Sequence, residues 1–166
     1  MMECMHYYQS PLGNILMASN GNALTGLWFE GQKYFCENLC NTYEFKKLPV
    51  FEQTDHWLDL YFDGKEPDFI PPLYLNATPF RRAVWDILLT IPYGCTMTYG
   101  EIAKQLARQK GTGKMSAQAV GGAVGHNPIS LIIPCHRVIG ANGNLTGYAG
   151  GIDTKIQLLT IEKVDM

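Results

Sequence analysis

Leu131-Ile132-Ile133-Pro134-Cys135-His136-Arg137-Val138-Ile139-Gly140 is the stretch on which the reading of this chain turns. A short apolar run, rich in β-branched residues and bounded by Pro128 and Pro134, delivers a cysteine, a histidine and an arginine in succession. Such a run predicts a buried extended segment that holds the cysteine rigidly. A cysteine beside a histidine and an arginine is expected to favour its thiolate, and the thiolate is the nucleophile. The competing reading is a structural cysteine at the end of a strand, because a local Cys-His pair does not by itself define a family.

Upstream of this stretch the sequence predicts three helices. Thr78-Pro79-Phe80 opens the first, with a capping threonine and proline at the first helical position, and Ile91-Pro92-Tyr93-Gly94 stops it. Thr98-Tyr99-Gly100-Glu101 has the capping-box pattern and starts a second helix that runs to about Ala107. A polar loop, Arg108 to Lys114, separates it from a third, Ala117 to Val124, capped by Ser116. That third helix is built from small residues, and each glycine costs about 1 kcal/mol relative to alanine. Close approach of its backbone to something else would explain them. The last two helices are either a helix-turn-helix or an ordinary helical hairpin. Downstream, Asn142-Gly143 marks a tight turn before Leu145, Gly147-Tyr148-Ala149-Gly150-Gly151 is a backbone-exposing loop, and Asp153 is expected to cap a final helix. That helix returns the carboxylate of Glu162 toward His136.

The first half carries no obvious chemistry. Met5–Gln9, Ile15–Ser19 and Ala23–Phe29 read as strands separated by turn signals. Gly31–Tyr43 is expected to be helical, with Phe35 and Leu39 four apart, and Phe51–Phe62 is a second helix ended by Gly64. Cys36 and Cys40 lack a second Cys/His pair at zinc-site spacing, so no metal is expected. Glu66 to Pro72 is proline-rich and reads as a linker. The boundary is placed there, giving domains 1–72 and 73–166.

Composition sets the class. At 166 residues, 46% hydrophobic and 17% charged, the chain is long enough for a real core and too apolar for disorder. Five cysteines, no apolar run long enough to cross a membrane and no secretory signal favour free thiols in a reducing, cytoplasmic compartment. The net charge of −2 hides a split. Residues 1–78 hold four Lys/Arg against ten Asp/Glu, a net of −6, while residues 79–166 hold nine against five, a net of +4. An anionic partner would meet the second half.

Pro134-Cys135-His136-Arg137-Val138, with Asn127-Pro128 before it and Gly147-Tyr148-Ala149-Gly150-Gly151 after it, closely resembles the O6-alkylguanine-DNA alkyltransferase family. Ser10-Pro11-Leu12-Gly13 is similar to the family's N-terminal start. The resemblance implies an α+β protein with an N-terminal ribonuclease-H-like domain and a C-terminal winged helix-turn-helix domain. It implies a single-turnover repair protein that flips an alkylated guanine, and by extension O4-methylthymine, out of double-stranded DNA and moves the alkyl group to its own cysteine. It also implies a monomer that uses no cofactor and binds through the minor groove. Cys135 is then the nucleophile, His136 the base acting through a water, and Glu162 its orienting carboxylate. By the same resemblance Asn127 ties the recognition helix to the cysteine turn, and Tyr99 donates to the departing guanine ring. Tyr148 forms a pocket wall, the carbonyls of Cys135 and Val138 accept the exocyclic amine, and the Ala149 N–H contacts the base oxygen. Ala119, Gly121, Gly122 and Ala123 admit the groove. Arg137 is expected to be structural, tethering the two domains.

The chain departs from the family pattern at Gln118, where an arginine usually fills the gap left by the flipped base. Glutamine is shorter and uncharged, so weaker or differently salt-dependent DNA binding is expected. Some relatives carry zinc in the first domain, but the region around Asn20 and Thr25 has no Cys or His to hold it. Three rival functions fit the sequence less well. A lesion sensor of the alkyltransferase-like type would lack the cysteine. A Cys-His hydrolase would leave the helix pair without a role. A plain DNA-binding regulator would leave the Cys-His pair without one.

Overall fold

The computed structural model describes residues 3–36, 42–145 and 147–165. The chain divides into two compact units, one made of Met1–Leu75 and Pro128–Ile132, the other of Asn76–Asn127 and Ile133–Met166. The second unit is thus interrupted by five residues, a feature that no composition shift along the chain announces.

The first unit is a sheet of four strands, β1 (Glu3–Ser10), β2 (Gly13–Ser19), β3 (Leu24–Phe29) and β4 (Tyr43–Phe45), in the order β3-β2-β1-β4. β1, β2 and β3 are antiparallel neighbours, and β4 runs parallel to β1. Alternation assigns the two faces. Met5, Leu16, Ala18 and Trp28 cluster on one, with Phe35 and Cys36 against them. On the other, His6 stacks on Phe51 and Tyr8 on Phe62, which seats helix α1 (Pro49–Phe62) across β1. Two segments add a single bridge each to the sheet, Leu73 against Leu24 and Ile129 against Leu27. The second of these comes from the stretch just before the cysteine.

Two expectations fail here. Gly31–Cys36 forms turns and Tyr43 lies in β4, so the helix expected over Gly31–Tyr43 does not form where it is described. Leu39 and Cys40 lie outside the described residues. Tyr34 and Cys36 both take positive φ, which breaks any helical run. The Leu131–Ile133 run is buried as expected but is not extended. It forms turns, with Leu131 at φ 71°. Burial, which periodicity reports, does not fix backbone conformation in so short a run.

The second unit is a helical core with a small parallel sheet, β5 (Met97–Thr98) against β6 (Val138–Ile139). Helix α2 (Pro79–Leu88) starts where Thr78 Oγ1 accepts from the Arg81 N–H. Helix α3 (Tyr99–Lys110) starts at a full capping box. The Thr98 hydroxyl accepts from the Glu101 N–H, and the Glu101 carboxylate accepts from the Thr98 N–H. It runs one turn past the expected Ala107 and ends at Gly111, whose φ of 69° suits glycine. Helix α4 (Ala117–Gly125) is capped by Ser116. Trp85 fastens α2 to α4 by donating from Nε1 to the Ala123 carbonyl at 2.8 Å. Helix α5 (Ile152–Ile161) starts at Gly151, not at Asp153, which sits in its first turn and complements the helix dipole instead. None of the described helices is long and apolar enough to cross a membrane.

Candidate active site

Cys135 opens a single 3-10 turn, Cys135–Arg137, that leads straight into β6. The turn is tied from the helix side. Asn127, just past the end of α4, donates from Nδ2 to the Ile133 carbonyl at 2.8 Å and also hydrogen-bonds the Cys135 side chain. The strand-end cysteine and the α4 terminus are therefore held as one object. Cys135 is 5% exposed.

Burial pushes the Cys135 thiol above its ordinary pKa. The Asn127 hydrogen bond, the Lys155 cation and nearby backbone N–H groups only partly offset this. The expectation that the histidine and arginine would favour the thiolate is thus overturned for the resting protein. Burial is the main reason, and Arg137, which could have opposed it, is committed elsewhere. Its Nε donates to Glu162 Oε1 at 2.8 Å, its Nη1 to the Ile91 carbonyl at 2.8 Å, and its guanidinium lies over the Tyr93 ring. All of these partners belong to the second unit, so Arg137 is committed within the site.

His136 and Glu162 are fully buried, with Nε2 and Oε2 2.5 Å apart. Burial lowers the His136 pKa; the Glu162 carboxylate opposes that, while Arg137 and Lys155 push the same way as burial. Burial alone would raise the Glu162 pKa, but its hydrogen bonds and charge contacts with His136 and Arg137 bring it down to about 2. The state that follows is a neutral imidazole donating its Nε2–H to an ionised carboxylate, which leaves Nδ1 as the basic nitrogen. Glu162 Oε1 is clamped by Arg137 and by the Gly94 N–H at 3.0 Å.

Sequence reasoning missed Lys155. It is fully buried, donates from Nζ to the Val138 carbonyl at 2.5 Å, and is lowered to about 8 by burial, against which the Cys135 charge acts. A signal existed. Lys155, Leu158, Leu159 and Glu162 share the buried stripe of α5 and its C-terminal cap, and charged residues on an apolar stripe need partners.

The remaining predicted residues fall in two places. Tyr99, first residue of α3, is half-buried, close enough to Cys135 for that charge to raise its pKa after burial has done so, and its hydroxyl lies 3.4 Å from the Gly147 carbonyl. Tyr148 and Ala149 follow in the partly buried turn that leads into α5. Val138 is buried and offers its carbonyl to Lys155. On α4, Gln118, Ala119 and Gly122 are exposed and Gly121 is half-buried beside the Tyr99 ring. Ala123 does not share that face. It is 3% exposed and packs toward Trp85, a consequence of the 3.6-residue repeat that turns it to the core.

Comparison with known proteins places the two halves of the chain in one family. Residues 4–75 match the family described as 6-O-methylguanine DNA methyltransferase, ribonuclease-like domain, and residues 79–164 match the DNA binding domain of the same name. The sheet order and the helical second unit accord with those two descriptions. A Mycobacterium bovis protein named methylated-DNA--protein-cysteine methyltransferase is 44% identical over 161 residues, covering 96% of this chain and 93% of its own. One of the same name from Haemophilus influenzae is 40% identical, over 95% and 85%. The crystal structure of Mycobacterium tuberculosis OGT in complex with DNA is similar with a TM-score of 0.82 at 42% identity, covering 98% of this chain and 93% of that one. With both halves matched and relatives this similar along almost the whole length, the chain belongs to the 6-O-methylguanine DNA methyltransferase family.

Proposed function

We propose that this protein repairs O6-methylguanine in DNA, and by the same chemistry O4-methylthymine, by moving the alkyl group to Cys135. A new S–C bond forms as the C–O6 bond breaks, and the electron pair leaves with the base. The thiol proton passes through a water to His136, whose proton affinity Glu162 raises. Tyr99 donates its hydroxyl proton to the departing guanine. The carbonyls of Cys135 and Val138 and the N–H of Ala149 hold the base, with Tyr148 as a wall. The product is a thioether, so each molecule acts once.

The observation that best supports this reading is the burial of a cysteine thiol beside a fully buried His136–Glu162 pair. A thiol held protonated at rest is protected from solvent oxidants and is deprotonated only when a base is at hand. The exposed small residues of α4 support minor-groove binding. A Cβ at Gly122 would meet nothing within 4 Å, so internal packing does not require glycine there, whereas a close external surface would. Extrusion of the base costs a few kcal/mol, least where pairing is already poor, which favours lesions. The protein acts as a monomer in the reducing cytoplasm and needs no cofactor.

The test is a titration of protein against a duplex carrying one O6-methylguanine, with the DNA digested and its nucleosides counted. Repair that plateaus at one guanine restored per protein supports the reading. Repair that continues past that ratio, or never begins, overturns it.

A further inference from the structure

The geometry points to Arg137 as the positioning residue that sets how tightly the His136–Glu162 pair holds a proton. This rests on the functional reading above, in which His136 takes the proton of Cys135.

Glu162 has two oxygens with separate tasks. Oε2 meets His136 at 2.5 Å, while Oε1 is fixed by Arg137 Nε at 2.8 Å and the Gly94 N–H at 3.0 Å. Arg137 is itself anchored by the Ile91 carbonyl and the Tyr93 ring, so its charge cannot swing away. Gly94 takes φ 81°, and a Cβ there would lie 3.3 Å from the Glu162 carbonyl, which keeps this wall close. The Tyr93 hydroxyl donates to the Ile161 carbonyl next to Glu162. The groups facing the pair are therefore Arg137 from the cysteine turn, Tyr93 and Gly94 from the loop after α2, Lys155 from α5, and the Cys135 thiol with Tyr99 beyond it. Arg137 is the cation that touches the carboxylate.

A permanent positive charge beside a buried histidine–carboxylate pair lowers the affinity of the whole pair for an extra proton, whichever atom would hold it. Arg137 does this directly to His136, which its charge pushes further down, and it keeps Glu162 ionised. Burial does most to hold the His136 pKa down, and Arg137 adds to it. The fork of a guanidinium also fixes the carboxylate plane, which a lysine does only as a point charge.

The experiment is the single-turnover rate of alkyl transfer as a function of pH for the parent, Arg137→Lys and Arg137→Met. Arg137→Met is expected to move the acid limb upward by about one pH unit, with the rate recovering at alkaline pH. Arg137→Lys is expected to keep the limb in place and lose amplitude only. An acid limb that stays put in Arg137→Met while the amplitude falls would assign Arg137 a purely structural role and overturn the proposal. Should the methionine variant not fold, the 15N shifts of the His136 ring are compared between the parent and Arg137→Gln. A ring that titrates at higher pH in the variant supports the proposal, and one that titrates unchanged defeats it. A parent that transfers no alkyl group defeats the functional reading, and the ring titration still judges the clamp.

Discussion

Oε2 of Glu162 lies 2.5 Å from Nε2 of His136 in a fully buried site, although 26 residues separate them. The pair exists because α5 ends where its cap residue turns inward over the cysteine turn. Glu162→Gln keeps the shape and removes the charge. Transfer should slow by about 100-fold or more, on the scale of general-base effects, with lesion affinity unchanged. Stopped-flow transfer and fluorescence anisotropy would measure the two separately. The same pair makes the fold acid-sensitive. Glu162 is held at about 2 in the folded protein, below its unfolded value of about 4.3, so its stabilisation is full above that value and is lost as pH falls toward 2. His136, lowered on folding, adds destabilisation as pH falls below about 6.5, because the unfolded chain takes the proton first. Urea midpoints measured from pH 7 to pH 3 should fall continuously.

Lys155→Met removes the cation that favours the Cys135 thiolate. The thiol should then titrate higher still, and alkylation by iodoacetamide at pH 8 should slow several-fold. An unchanged reaction rate would mean that the lysine acts only on the Val138 carbonyl. The folded Lys155 pKa of about 8 lies below the unfolded value of about 10.4. Between those values the unfolded chain binds more protons, so stability rises with pH across that window. The methionine variant should lose that rise.

Gly122→Ala separates folding from binding. Nothing in the protein lies within 4 Å of the added methyl, and alanine gains up to about 1 kcal/mol in a helix, so the thermal midpoint should rise. DNA affinity should fall, because the methyl stands on the exposed face of α4. Gln118→Arg, on the same face, should tighten DNA binding and steepen its salt dependence. Equal affinities for the parent and both variants would remove α4 from the interface.

Thr98→Ala breaks the capping box of α3, where the hydroxyl accepts at 3.0 Å from Glu101. A loss of about 1 kcal/mol is expected in urea unfolding. Tyr99 sits in the first turn of this helix, so transfer should slow as well, and a stability loss without slower transfer would place Tyr99 outside the reaction.

What the sequence revealed depended on the range of the interaction. Thr78, Thr98 and Ser116 announced their helices because a cap acts on the N–H three residues on. The three antiparallel strands were legible because their turns are local. The turn conformation of Leu131–Ile133 and the loss of a helix after Gly31 were not, since positive-φ residues such as Tyr34, Cys36 and Leu131 leave no periodic trace. Within the site, Cys135 and His136 stood out through their neighbours in sequence. The commitments of Arg137 to Ile91 and Glu162, and of Lys155 to Val138, span 17 to 46 residues and became visible only in three dimensions.

The proposed reaction makes Cys135 the alkyl acceptor. Intact-mass spectrometry of the protein after incubation with a duplex bearing one O6-methylguanine, followed by peptide mapping, tests it directly. The protein is expected to gain a single methyl group on the peptide that contains Cys135, and Cys135→Ser to gain none. A methyl group mapped to another residue, or lesion binding with unchanged mass, would contradict it.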